Sequence, residues 1–392
     1  MTNINRKKFL KRIGALGTAA AIAPSLFSIK SSASVHTPIN RKIKVGVIGC
    51  GSVARKYLPH LTGSPYAEIV SLCDIIPERA KERASEFNIK NWYPHIDKML
   101  AGVDFDLFVN LTNMQEHGRL NRLAINAGKH VWSEKPMANT YNEGLDLLNL
   151  AKSKGLRIWG APAVVNSPQF AFMAQQINQG NLGLISAGHG SYGHQGPTWS
   201  SFFYEKLGGS MPDLGVYNIA TLTGLLGPAV SVTAILNIIS PTRNIDDKGT
   251  IKVEEEDNAH ILMEHKSGAI SHIQCGFNYL DPHGYEGDEI PTLSVIGSRG
   301  KMEMIGYDWA PYAVDMATSA DQNMRRLATD RGTYKWEEGA SVICEYLSTG
   351  KEPLINVEHT LHVLEIIEAA RKSQETRKRI ELMSVFKWPV VS

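Results

Sequence analysis

From Ile43 onward the chain alternates short apolar runs with longer amphipathic ones. Ile43–Ile48 predicts a strand, and Val53–Leu61, with its apolar residues at helical spacing, predicts a helix. Glu68–Asp74 predicts a second strand. Pro77–Phe87 predicts a helix with Glu78, Arg79, Lys81 and Glu82 on its wet side. Phe105–Thr112 is apolar almost throughout, as in a strand buried on both faces. Glu116–Ala127 reads as a helix stopped by Gly128, and Lys129–Ser133 as a strand leading into Glu134-Lys135-Pro136. Thr140 and Glu143 form a capping-box pattern that opens a helix running to Lys154, and Arg157–Ala163 is a further strand. Strand and helix in regular alternation, with short connections, imply a parallel sheet covered on both faces.

Beyond Asn166 the rhythm changes. Ser167-Pro168 is an N-cap and first-turn pair, followed by Phe170, Met173 and Ile177 on one helical face. Strand patterns follow at Leu184–Tyr192, Val230–Ile239, Ala259–His265 and Ala269–Phe277, and a hairpin is predicted across Gly297–Gly300. A helix is expected near Asp213–Leu226, and a long one near Glu358–Arg371. The expected class is therefore α/β. A doubly wound parallel sheet of the Rossmann type spans residues 42–163. A second α/β domain, residues 164–392, carries a large, open, mostly antiparallel sheet.

Ahead of this pattern, Arg6-Lys7-Lys8-Phe9-Leu10-Lys11 precedes a weakly apolar run and then Ser31-Ser32-Ala33. Residues 1–33 are expected to be a signal peptide and 34–41 a linker. The basic block resembles a twin-arginine export signal, with Lys7 in place of the second arginine, which implies a periplasmic or otherwise exported protein. No other run is long and apolar enough to span a bilayer, so no stable membrane span is expected after processing. An apolar fraction of 43%, a charged fraction of 20% and a net charge of +2 fit a globular protein with no nucleic-acid partner. Cys50, Cys73, Cys275 and Cys344 show no paired spacing and read as free thiols.

Within this frame, Gly49-Cys50-Gly51-Ser52-Val53-Ala54 joins the first strand to the first helix. Gly49 permits a sharp turn, and Gly51 removes a side chain from the path of a pyrophosphate. The N–H groups at Ser52 and Val53 begin a helix whose dipole favours anions. Asp74, at the end of the next strand, is placed to accept ribose hydroxyls. Ile75 and Ile76 offer no cation for a 2′-phosphate, so NAD is favoured over NADP. Glu134 and Lys135 close a strand at the ligand edge of such a sheet, where Lys135, beside a cationic nicotinamide, would yield a proton readily. Asp213 and Tyr217 lie one helical turn apart after Gly208-Gly209, and Tyr217 next to a lysine cation would lose its proton more easily. In the loop beyond Gly190, His194 offers hydrogen bonds and Trp199 a flat face to a sugar ring. His189 and His194 do not by spacing form a metal site, and none is expected.

These motifs resemble the Gfo/Idh/MocA oxidoreductase family over nearly the whole chain after the leader. The matching stretches are Gly49–Ala54, Cys73–Ala80, the Thr112…His117 turn, Ala127–Pro136, Gly208–Tyr217 and Ile296–Gly300. The resemblance implies a nicotinamide cofactor held by Gly49, Gly51, Ser52, Val53, Asp74, Thr112, His117, Glu134 and Lys135. It implies catalysis by Lys135, Asp213 and Tyr217 on a sugar, glycoside or cyclitol, and a homodimer or homotetramer formed through the open sheet. Tyr217, where many members carry His, resembles the glucose-fructose oxidoreductase and dihydrodiol dehydrogenase branch. The family's Thr-Pro-Asn turn reads Thr112-Asn113-Met114 here, and an arginine often found near Asn166 is absent. Export would demand a tightly held cofactor. Two alternatives stand beside the oxidoreductase: a redox-neutral, NAD-dependent enzyme that cleaves glycosides by oxidation and elimination, and a non-catalytic sugar or nucleotide sensor.

Overall fold

The computed structural model describes residues 38–246, 248–280, 290–330 and 334–391. The expected signal peptide and the first half of the linker lie outside the described residues. Among the described residues, no helix is long and apolar enough to cross a membrane.

The first half is built from β1 (Ile43–Ile48), α1 (Ala54–Gly63), β2 (Ala67–Cys73), α2 (Pro77–Glu86), β3 (Asn91–Tyr93) and α3 (Ile96–Leu100). It continues with β4 (Leu107–Asn110), α4 (His117–Asn126), β5 (His130–Ser133), α5 (Tyr141–Ser153) and β6 (Ile158–Gly160). The six strands pair in parallel in the order β3-β2-β1-β4-β5-β6. The order reverses at β1, so β1 and β4 diverge there and leave a crevice at their carboxyl ends. Every residue of β4 is buried, the polar Asn110 at its end included, as its largely apolar run requires. Thr140 Oγ1 accepts the Glu143 N–H at 3.2 Å, one half of the predicted capping box. The other half shifts by one residue, with Glu143 accepting from Asn139 N at 2.8 Å.

The second half contains α6 (Pro168–Asn178), β7 (Ile185–Gly193), α7 (Val216–Leu226), β8 (Ala229–Asn237) and the small β9 (Thr242–Ile245)–β10 (Gly249–Lys252) hairpin. Then come β11 (Asn258–His265), β12 (Ile270–Gly276), β13 (Pro291–Gly297), β14 (Gly300–Tyr307), β15 (Ala310–Thr318) and β16 (Arg325–Leu327). The chain closes with α8 (Gly339–Thr349), α9 (Val357–Thr376) and β17 (Ile380–Glu381). Nine strands form one sheet in the order β16-β15-β14-β13-β7-β12-β11-β8-β17. Every pairing is antiparallel except β7 with β12. Helices α6, α7 and α9 cover one face. The other carries Ile235, Leu262 and Ile270, each about half exposed or more, and a ladder of His260, His272 and His189. Helix α8 leaves this half and packs on α1, β1, β2 and β5 of the first.

Candidate active site

The glycine loop takes the conformation its sequence calls for. Gly49 has φ +88°, and a Cβ there would stand 2.5 Å from the Leu111 carbonyl oxygen, so only glycine fits. At Gly51 a Cβ would meet no protein atom within 4 Å. That open approach to backbone at the start of α1 suits a pyrophosphate, and a side chain would fill it. The loop is tied down from below by Asp74, whose two carboxylate oxygens accept the Cys50 N–H at 2.7 Å and the Ile76 N–H at 2.8 Å. The residue expected to receive the ribose is therefore also the clasp of the loop.

On the far side of the crevice, Asn110 at the end of β4 accepts the Thr112 hydroxyl at 2.7 Å and donates to Asn121 at 2.9 Å. His117 is fully buried at the start of α4, its ring nitrogens 2.7 Å from the Pro136 carbonyl and 2.9 Å from that of Thr112. Burial holds this imidazole below its ordinary value, while the two carbonyl contacts oppose that shift. His117 thereby links the Thr112 turn to the strand end bearing Lys135.

Glu134 and Lys135 leave β5 in opposite roles. Glu134 Oε1 accepts from the Tyr57 hydroxyl at 2.7 Å, and Oε2 accepts the Lys135 N–H at 3.0 Å. Tyr57 in turn accepts the Trp132 indole N–H at 3.1 Å. Trp132 is wholly buried because Gly339, at the start of α8, has no side chain to collide with its ring. This chain of contacts from α8 through Trp132 and Tyr57 to Glu134 sets the backbone from which Lys135 projects.

Lys135 Nζ donates to Asp213 Oδ1 at 2.6 Å and to the Asp213 carbonyl at 2.8 Å. An ammonium has three donors, so one remains uncommitted. Asp213 sits in a single π-helical turn, Met211–Gly215, spliced onto α7. Such turns recur at functional sites because they displace side chains from the regular helical face. The turn is anchored by Glu256, which accepts the Met211 N–H at 2.9 Å and lies where any side chain on Gly209 would fall. Burial raises the Glu256 carboxyl to about 7.

One turn on from Asp213, Tyr217 brings its ring to 5.2 Å from Lys135 Nζ. Lys135, Asp213 and Tyr217 therefore converge as expected, but the proton affinity of Tyr217 runs opposite to expectation. Burial, with Glu134, Asp213 and Asp308 nearby, pushes the phenol well above its ordinary value. Desolvation and three carboxylates outweigh one ammonium. Asp308 lay outside the sequence reasoning. Its Oδ2 accepts from Asn218 at 2.8 Å and Thr221 at 3.0 Å, both on α7, while Oδ1 is buried with no hydrogen-bond partner among the described residues. Burial lifts its carboxyl to about 6.

The two residues expected to meet a sugar part company. His194 accepts the Gly196 N–H at 2.9 Å and continues a line of rings through Tyr192. Trp199, half exposed, packs edge-on against Phe203 at 4.8 Å and Phe202 at 5.8 Å.

A parallel sheet in the order 3-2-1-4-5-6, with a glycine loop at its switch point and a Lys–Asp–Tyr cluster across the crevice, defines a dinucleotide-dependent oxidoreductase. Residues 43–161 match the oxidoreductase family with an NAD-binding Rossmann fold, and residues 170–303 match the GFO/IDH/MocA C-terminal domain. The chain belongs to the Gfo/Idh/MocA family, and NAD is its cofactor. It is 24% identical over 364 residues to a D-apiose dehydrogenase of Paraburkholderia graminis, covering 90% of this chain and 93% of that one. It is 22% identical over 342 residues to a mouse trans-1,2-dihydrobenzene-1,2-diol dehydrogenase, covering 84% and 96%. In fold it is similar to a levoglucosan dehydrogenase solved with NADH, with TM-score 0.76 and 18% identity, over 88% of this chain and all of the other (100%).

Proposed function

We propose that the protein oxidises or reduces a hydroxyl or keto carbon of a sugar, glycoside or cyclitol, with Lys135 and Tyr217 as proton relay and Asp213 orienting Lys135. The observation that carries this is the convergence of Lys135 Nζ on Asp213 at 2.6 Å beside the Tyr217 ring. NAD held by the Gly49–Val53 loop and Asp74 supplies the hydride acceptor. Glu134 and His117 hold the strand end and the Thr112 turn that flank it. Asp213 takes two of the three Lys135 donors, which leaves one N–H for the substrate oxygen. Tyr217, kept protonated by its surroundings, donates to the same oxygen in the reductive direction and is recharged from Lys135. In the oxidative direction the protons run outward. The test is to offer NAD with a panel of aldoses, ketoses and cyclitols and to follow NADH. If Lys135→Ala retained full turnover, this reading would fall.

The basic, apolar and small-residue order of residues 1–33 supports export with NAD already in place, probed by cell fractionation and by NAD content after extensive dialysis. An exported protein meets little free NAD, which supports the redox-neutral reading as second. Leaving-group release from an aryl glycoside without net NADH would select it. Assembly through the open sheet as a homodimer or homotetramer is supported by the exposed Ile235, Leu262 and Ile270, and light scattering tests it.

A further inference from the structure

The turn between β14 and β15 reads Tyr307-Asp308-Trp309. Asp308 is pulled inward, wholly buried, by Asn218 and Thr221 of α7. Its neighbours Tyr307 and Trp309 are less buried. Their rings stack at 4.8 Å and 15°. Tyr192, from the end of β7, lies 4.8 Å from Tyr307, and Tyr217 lies 6.4 Å from Trp309. Tyr192, Tyr217, Tyr307 and Trp309 thus form one continuous aromatic wall that begins at the ring beside Lys135. All four are only partly buried, whereas β14 and β15 are otherwise largely buried where they meet the turn.

We propose that this wall is a subsite for a second ring, so that the substrate is a glycoside, a sugar joined to an aglycone or to another sugar, and not a free monosaccharide. The inference rests on the function proposed above and narrows its substrate class. A ring attached to the reacting sugar must lie beside the Lys135–Tyr217 pair, and the wall adjoins that pair. A row of partly exposed aromatic rings with hydroxyls at their rims matches a flat apolar ring that carries polar edges. The turn that carries the wall is held by Asp308, whose Oδ2 accepts from Asn218 and Thr221 of α7.

The experiment compares para-nitrophenyl α- and β-D-glucosides and galactosides with free glucose and galactose, using the NADH-loaded full chain and calorimetry. The ratio of monosaccharide to glycoside dissociation constants is read for the wild type, Trp309→Ala, Tyr307→Ala and Trp309→Phe. The wild type is expected to favour a glycoside by tenfold or more. Each alanine variant should reduce that ratio by about tenfold, and Trp309→Phe, which keeps a ring, should retain most of it. Because the readout is a ratio, a general loss of folded protein does not imitate it. A wild type without preference, a ratio indifferent to both alanine variants, or failure of every probe to bind would overturn the subsite. Turnover of the same probes with NAD is followed in parallel. Binding with the expected ratio but no turnover would leave the subsite standing and remove the oxidoreductase reading. Turnover without any preference would do the reverse.

Discussion

On the Rossmann side of the crevice, Asp74 and Glu134 have both carboxylate oxygens occupied, by Cys50 and Ile76 N–H groups in one case and by Tyr57 and Lys135 N in the other. On the other side, Asp308 and Glu256 are buried, their carboxyls raised to about 6 and about 7, and one Asp308 oxygen has no partner among the described residues. The first wall satisfies its charges as it folds, mostly with backbone donors, and is a finished mould. The second retains buried acids that do not contribute stability in their charged form, and it bears the aromatic and titratable groups to which the proposed function assigns the reaction. A cofactor common to many reactions can be met by a fixed surface, whereas a particular substrate requires polar groups held under cost.

The largest effect that would break this contrast is at the bridge between the walls. Lys135→Met should reduce kcat by about 10²–10⁴-fold, because it removes the proton relay, while NADH affinity changes far less. Steady-state kinetics and fluorescence titration separate the two. Next comes the pH dependence of stability. With a folded value of about 6 against about 4 when unfolded, Asp308 binds more protons in the native state over that interval. Stability from this group is therefore present below about pH 4 and lost as pH rises towards about 6. Relative to wild type, Asp308→Asn should gain up to roughly 3 kcal/mol between those limits, read from urea midpoints across the range. A difference that does not vary with pH would show that Asp308 is no strained acid.

The glycine loop gives a sharper pair. Gly49→Ala should cost at least about 2 kcal/mol, through positive φ and the Leu111 carbonyl. Gly51→Ala should stay within about 0.5 kcal/mol of wild type in melting experiments, yet bind NADH at least about tenfold more weakly. Equal behaviour of the two would undo the distinction between a structural glycine and a ligand-facing one. A modest effect on stability is expected for Tyr57→Phe, about 1–2 kcal/mol, since it strands Glu134 Oε1 and the Trp132 indole N–H without moving either.

The first wall was readable because its determinants are local. The β1 run, Gly49, Gly51 and the following helix lie in one short stretch, and the apolar period places them on a buried parallel strand. The Asp213–Tyr217 spacing was readable for the same reason. The rest depends on distant segments. Tyr307, Asp308 and Trp309 carry no motif in the sequence and come together with α7 and β7 only in space. Glu256 belongs to an acidic run that looks like a solvated loop. The reversal at Tyr217 has the same origin: its lysine neighbour could be argued from motifs, but its burial, the main cause of the shift, could not. His194 joined the ring line, while Trp199 packed on Phe202 and Phe203, a partner set two residues of sequence could not distinguish from a sugar.

The clasp formed by Asp74 bears on any effort to re-engineer this scaffold for a phosphorylated dinucleotide. The customary route exchanges the ribose-facing acid for a small residue and adds a cation. Here that exchange would cut the ties to Cys50 and Ile76 and release the loop meant to hold the pyrophosphate. If Asp74 also meets the ribose, as the sequence leads one to expect, one side chain serves both cofactor choice and loop architecture, and a redesign must first supply the loop with a substitute acceptor.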